Sequence, residues 1–142
     1  MEMDVINLVG EIKRKYGSAN PFIICEKMGI LLKYVPFLEN PKGQFQEILG
    51  HSIIFLNESL RDSEERFYIC AHELAHAILH KETSSYYVST RNSRNKSESE
   101  ANCFASNLMV LLYKEDIDRY PRQIDNLSKL YGLPKESYRF LT

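Results

Sequence analysis

The sequence has no excess of charge of either sign, which argues against a protein that binds nucleic acid. It contains 18 Lys and Arg residues and 19 Asp and Glu residues, so its formal net charge is −1 and its pI is near 6.4. A domain that contacts the phosphates of DNA or RNA usually carries a clearly basic surface. We therefore expect no direct contact with nucleic acid.

The sequence also lacks a long apolar run. No segment approaches the eighteen or more apolar residues that suggest a membrane-spanning helix. Its start, MEMDVINLVGEIKRKYG, is acidic and then amphipathic, which is unlike a signal peptide. We expect a cytoplasmic protein without membrane contacts. The 142 residues, 44% of them apolar, suit a single domain over residues 1–142.

Cysteine and histidine are both scarce. Cys25, Cys70 and Cys103 are odd in number and widely spaced, so they exclude a disulfide framework and a CxxC pair and predict buried free thiols. Three of the four histidines, by contrast, fall in one stretch, AHELAHAILH, at residues 71–80. That concentration is the most informative feature of the chain.

The pattern along the chain predicts an α+β fold in which a short antiparallel hairpin packs on helices. Helical spacing covers residues 4–16, and Pro21 and Gly29 are typical of the two ends of a second helix. Residues 30–37 predict a strand, and 43–57 a hairpin with its turn near Gly50. Asp62 or Ser63 can cap a long helix that runs to about residue 81. A polar loop over 83–97, a helix over 97–113 and short C-terminal helices follow.

The HExxH stretch predicts a metal site. His72 and His76 are one helical turn apart, so both imidazoles can reach one Zn²⁺. Glu73 lies about 100° around the helix from His72, where it can act on a water at the metal. His80 is about 12 Å along the axis from His72, too far to share that metal, so we expect it at the helix end or behind a ligand.

A catalytic zinc usually takes a third protein ligand, and two glutamates of SESEANCFASNLMVLL compete for that role. Glu98 shares a helical stripe with small and apolar residues that should face the first helix, whereas Glu100 lies on another side. Glu98 is therefore the candidate ligand. Asn102, one turn further on, can hydrogen-bond to a ligand imidazole.

Together, FYICAHELAHAILHKE and ESEANCFASNLM resemble the ImmA/IrrE family of zinc metallopeptidases over about residues 20–141. The resemblance implies a small zincin-like domain with one zinc per chain. Matched to the family motifs, His72, His76 and Glu98 correspond to zinc ligands and Glu73 to the catalytic glutamate. It also implies a helix-turn-helix repressor as the protein that is cleaved or inactivated, an inference that rests on analogy.

Three further residues are candidates for contacts with substrate. Tyr86 and Tyr87 follow the predicted catalytic helix, where a hydroxyl could stabilise an oxyanion, although a surface loop with packed aromatics is the simpler explanation. His51 lies in the hairpin and could line the cleft or remain at an exposed strand edge.

The sequence thus predicts a zinc endopeptidase in which Glu73 is the general base. The alternative is a binding module, an antirepressor or antitoxin-like protein with a structural or vestigial zinc site. A non-ligating Glu73 favours the enzyme, whereas four protein ligands would favour the binding module.

Overall fold

A computed structural model describes residues 2–80 and 91–141 of the chain, with side chains described for 3–80 and 95–141. Within these ranges, the chain forms helices and one three-stranded sheet. In chain order the elements are α1 (Glu2–Tyr16), α2 (Pro21–Met28), β1 (Leu31–Val35), β2 (Gly43–Ile48), β3 (His51–Asn57), a 3-10 turn (Glu58–Leu60), α3 (Glu65–Leu79), α4 (Arg91–Ile117), α5 (Asp125–Tyr131) and a second 3-10 segment (Lys135–Leu141). The predicted α+β class is confirmed.

Short-range signals place the ends of α2. The side chain of Asn20 accepts a hydrogen bond from the N–H of Phe22 at 2.9 Å, and Pro21 occupies the first helical position. Gly29 ends the helix with a left-handed conformation, φ 76°. The predicted limits of this helix are therefore confirmed, and its end leads directly into β1.

The sheet is mixed, with strand order β1-β3-β2. Strands β2 and β3 form the predicted antiparallel hairpin, and Leu49 and Gly50 make its two-residue turn, both with positive φ. Strand β1 adds a parallel pair on the other side of β3, with Leu31 opposite Ile53. The predictions of a hairpin and of a strand within residues 30–37 are confirmed, whereas the parallel pairing of β1 was not predicted. Strand β2 is left on the outer edge.

Helices α3 and α4 pack against each other. Ala71 and Ala75 of α3 and Ala101 and Ala105 of α4 have no exposed surface, and such small side chains permit close approach of two helices. The Ser63 hydroxyl accepts from the N–H of Glu65, one of the two caps predicted for α3.

Helix α4 is longer than predicted. It runs from Arg91 to Ile117, so the last seven residues of the predicted loop, 91–97, are helical. That part of the loop prediction is wrong, because the polar residues of 91–97 carry no apolar stripe that would mark a helix. Residues 83–90 lie outside the described ranges. No helix in the part of the chain that the structure describes is long and apolar enough to span a membrane.

Candidate metal centre

The two histidines of the HExxH stretch have their Nε2 atoms close together. His72 and His76 lie on successive turns of α3, and their Nε2 atoms are 3.3 Å apart. Only 13% and 14% of their side-chain surfaces are exposed. Helical spacing explains this convergence, because residues i and i+4 share one face.

Glu98 of α4 brings a carboxylate to both imidazoles. Its Oε2 lies 3.0 Å from Nε2 of His72, and its Oε1 lies 3.0 Å from Nε2 of His76. Hydrogen bonds with His72 and His76 hold the pKa of Glu98 well below its usual range, in spite of partial burial. Burial lowers the pKa of His72, but Glu98 and Glu73 together outweigh this and leave it raised.

These three residues fit a zinc ion. Their donor atoms all lie within 4.8 Å of one another. Ligands in a tetrahedral zinc site, each about 2.0–2.1 Å from the metal, lie about 3.3–3.4 Å apart. The observed separations of 3.0 to 3.3 Å are close to this value. Two imidazoles and one carboxylate are also a donor set that catalytic zinc uses.

Glu73 lies in the same cleft without belonging to the donor set. The residue is 8% exposed. Burial raises its pKa, while His72, His76 and the nearby backbone of Phe45 lower it, and the net shift is upward. A carboxylate with a raised pKa is suited to accept and return a proton near neutral pH.

Strand β2 approaches this carboxylate closely because Gly43 has no side chain. A Cβ atom at Gly43 would lie 2.6 Å from Cγ2 of Ile69 and 3.1 Å from Cγ of Glu73. Neither Gly43 nor the backbone of Phe45 was predicted as part of the site. A backbone group has no sequence signature, and only the packing of β2 on α3 shows why glycine is required at this position.

His80 and Glu100 meet each other behind the candidate ligands. Nδ1 of His80 lies 2.9 Å from Nδ1 of His76, and Nε2 of His80 lies 3.1 Å from Oε1 of Glu100. Burial lowers the pKa of His80, against the opposing effect of Glu100. The structure therefore places His80 next to a candidate ligand, and it places Glu100 on His80 rather than in the donor set.

Asn102 lies beside His72, but its side-chain oxygen is hydrogen-bonded to another residue. Its Oδ1 accepts from the hydroxyl of Tyr68 at 3.0 Å, and that hydroxyl also contacts Ser137 at 2.7 Å. Asn102 makes a small upward contribution to the pKa of His72. Even so, Nδ1 of His72 is buried and has no partner of good hydrogen-bond geometry within the described residues. Asn102 thus adjoins the site without fixing the imidazole.

Among the described residues, His51 is the remaining candidate, and it does not belong to the site. His51 is exposed where β3 begins, opposite Ile48, and does not line the cleft. Tyr86 and Tyr87 lie outside the described residues. The cleft itself has a volume of about 600 Å³, and the residues that line it come from segment 40–45, from α3 and from the first turns of α4.

Comparison with known proteins assigns the chain to a peptidase family. The family model described as the IrrE N-terminal-like domain, a peptidase family, matches residues 25–140. The chain belongs to this family. The resemblance inferred from the two motifs is thereby confirmed, and the chain is a member of a metallopeptidase family.

Two relatives are similar over most of the chain. An uncharacterized immunity region protein of Bacillus phage phi105 is 29% identical over 140 residues, covering 90% of this chain and 82% of the relative. The metallopeptidase ImmA of Bacillus subtilis (strain 168) is 28% identical over 110 residues, covering 72% of this chain. The alignment spans 60% of the length of ImmA, less than two thirds of that protein.

Proposed function

We propose that this protein is a zinc-dependent endopeptidase that cleaves a helix-turn-helix repressor. The observation that carries the proposal is the convergence of His72, His76 and Glu98 on one point, with each Glu98 oxygen 3.0 Å from a histidine Nε2. Glu73 lines the same cleft and is not one of the three donors. A site that only held a metal for structural reasons would have no use for that fourth side chain.

The three zinc ligands and Glu73 have different roles in the proposed hydrolysis of a peptide bond. Zinc held by His72, His76 and Glu98 would polarise the peptide carbonyl and lower the pKa of a bound water to about 7. Glu73 accepts one proton from the attacking water as the oxygen bonds to the carbonyl carbon. It then passes that proton to the amide nitrogen as the C–N bond breaks. One water is consumed and the carboxylate of Glu73 is regenerated.

The edge of β2 supports a peptide as the substrate. The N–H of Asn57 donates to the carbonyl of Lys42 on the inner side of the strand, at 2.8 Å. The alternation of an antiparallel pair then directs the backbone groups of Gly43 and Phe45 outward. An extended peptide can pair with such an edge. Because Phe45 and Glu73 line the same cleft, a peptide on this edge would lie beside the base.

The repressor as substrate is supported by the family rather than by the shape of the cleft. The sequence resemblance to the ImmA/IrrE family implies helix-turn-helix repressors. One relative is described as an immunity region protein and another as a metallopeptidase. The first description agrees with a role in phage immunity, and the second agrees with a peptidase.

The test is to incubate the purified, zinc-loaded protein with the helix-turn-helix protein encoded beside it and to measure intact masses. The proposal predicts two fragments whose masses sum to that of the repressor plus one water, and no fragments after chelation with EDTA. A repressor that keeps its full mass but loses DNA binding would contradict the peptidase and support the binding module. An unchanged mass with unchanged DNA binding would contradict the choice of substrate.

A further inference from the structure

A continuous row of contacts joins two histidines, His76 of α3 and His80 directly after that helix, to one glutamate of α4. It runs from the candidate metal position through His76 to His80 and ends at Glu100, with separations of 2.9 Å and 3.1 Å. His80 is 9% exposed as a residue, and 23% of the Glu100 side-chain surface is exposed. The row is thus largely shielded from water, where hydrogen bonds orient side chains effectively.

Only one arrangement of protons satisfies every contact in this row once His76 binds a metal. A ligating Nε2 of His76 carries no hydrogen, so the hydrogen of that ring lies on Nδ1. Nδ1 of His80 must then accept it, which places the hydrogen of His80 on Nε2. That hydrogen is donated to Oε1 of Glu100, a carboxylate that can only accept. The tautomers of both rings are therefore determined by the two ends of the row.

The two candidate ligands differ in this respect. Nδ1 of His72 is buried and has no hydrogen-bond partner within the described residues, whereas Nδ1 of His76 faces His80. Glu98 and Glu100 are two residues apart on α4, yet one meets the donor set and the other meets His80. The same helix thus contributes a carboxylate to the metal position and another to the row behind it.

We propose that His80 and Glu100 are positioning residues which fix the tautomer and the orientation of His76 for metal binding. The inference rests on the proposed function in one respect, namely that His76 is a metal ligand. Neither residue touches the reacting atoms. A histidine between the ligand and the carboxylate extends the usual pairing of a metal-bound histidine with a carboxylate.

The test is the zinc affinity of the full chain, measured by competition with a chromophoric chelator at fixed pH. His80→Phe keeps an aromatic ring but removes both hydrogen bonds. We expect its zinc Kd to rise about 10- to 100-fold, the usual effect of removing such a partner. Glu100→Gln keeps an acceptor oxygen without the charge, so a smaller rise is expected. His51→Phe is the matched control, because His51 is exposed and outside the cleft, and its Kd should not change.

A second variant separates positioning from a merely structural role. His80→Gln offers an oxygen to His76 and an N–H to Glu100, so it should bind zinc more tightly than His80→Phe. The metal-free forms of both variants should unfold at similar temperatures. An unchanged zinc Kd in His80→Phe would overturn the inference. It would also be overturned if both variants lost the same zinc affinity in proportion to a loss of unfolding temperature.

A control on His76 distinguishes this inference from the proposed function. If wild type binds zinc and His76→Ala does not, failure of the His80 and Glu100 variants to affect Kd refutes only the positioning role. If the wild-type protein itself binds no zinc, the proposed function fails and the positioning role fails with it.

Discussion

The backbone of Phe45 lies beside the carboxylate of Glu73 and lowers its pKa, so the edge strand of the sheet reaches the candidate base. This contact joins β2 to α3 at the point where the two elements form the wall of the cleft. The approach depends on Gly43, two residues earlier, where a side chain would meet Ile69 and Glu73.

Gly43→Ala should therefore damage both stability and activity. The added Cβ would be 2.6 Å from Ile69 and 3.1 Å from Glu73, so β2 or Glu73 must move. We expect the free energy of unfolding in urea to fall by about 1–3 kcal/mol. The rate of repressor cleavage should fall by up to about 100-fold, since small displacements of catalytic groups have effects of that size.

Gly10→Ala is the control. Its Cβ meets only Arg14 Nη1, at 3.6 Å, and it should stabilise α1 by about 0.5–1 kcal/mol. Equal behaviour of the two variants would refute the steric argument.

Glu98→Ala tests the third ligand. Loss of a direct ligand should raise the zinc Kd beyond the roughly 100-fold upper range that is usual for an outer partner. Glu136→Ala, a change at an exposed glutamate outside the cleft, should leave Kd as in wild type. The measurement is chelator competition on dialysed protein. Unchanged affinity in Glu98→Ala would show that the third ligand lies elsewhere.

The choice between Glu98 and Glu100 shows what the sequence can predict. Helical periodicity separated the two residues onto different faces of α4, and the structure places each against a different histidine of α3. Helical geometry also predicted that His80 would lie at the helix end or behind a ligand. Periodicity is informative here because both helices are regular and their buried faces are marked by alanines.

Other features depend on tertiary packing and have no such signal. Strand β1 pairs in parallel with β3, but its sequence fits an edge of either orientation equally well. The start of α4 lies in a polar segment without an apolar stripe, so periodicity placed the helix six residues too late. The role of Gly43 arises from the space that Ile69 and Glu73 occupy, and that space exists only in the folded chain.

The pair of His72 and Glu98 should make the stability of the metal-free protein depend on pH. The pKa of Glu98 is lowered on folding, so its contribution is present above its unfolded value of about 4.3 and is lost at lower pH. The pKa of His72 is raised, so its contribution is complete below about pH 6.5 and is lost as the pH rises through the folded value. The pair therefore stabilises the protein most between about pH 4.3 and 6.5.

Glu98→Gln isolates this effect, because other titrating groups cancel when the variant is compared with wild type. In EDTA, the difference in unfolding free energy should be larger at about pH 5.5 than at about pH 8.5. Urea titrations at the two pH values measure it. A difference that does not change with pH would mean that the two side chains are not paired in solution.

The hairpin turn offers a gain in stability away from the site. Leu49 is 94% exposed and has a φ of 52°, a left-handed conformation that leucine adopts at a cost. Leu49→Asn should raise the free energy of unfolding by about 1 kcal/mol, because Asn-Gly is favoured in such turns. Leu38→Asn, at a residue 93% exposed without positive φ, should change it by less than about 0.5 kcal/mol. Equal effects at both positions would show that the gain comes from removing an exposed leucine rather than from a better turn residue.

The most direct test of the central claim is the rate at which zinc-loaded wild type and Glu73→Gln hydrolyse the same bond of the repressor. Glu73 lines the cleft but is outside the three-donor cluster, so the variant should contain as much zinc as wild type. Its kcat/KM should be lower by about 10²- to 10⁴-fold, the usual contribution of a general acid–base group. Loss of zinc from the variant would contradict the assignment of His72, His76 and Glu98 as the complete set of protein ligands. Equal rates at equal zinc content would contradict the assignment of Glu73 as the base.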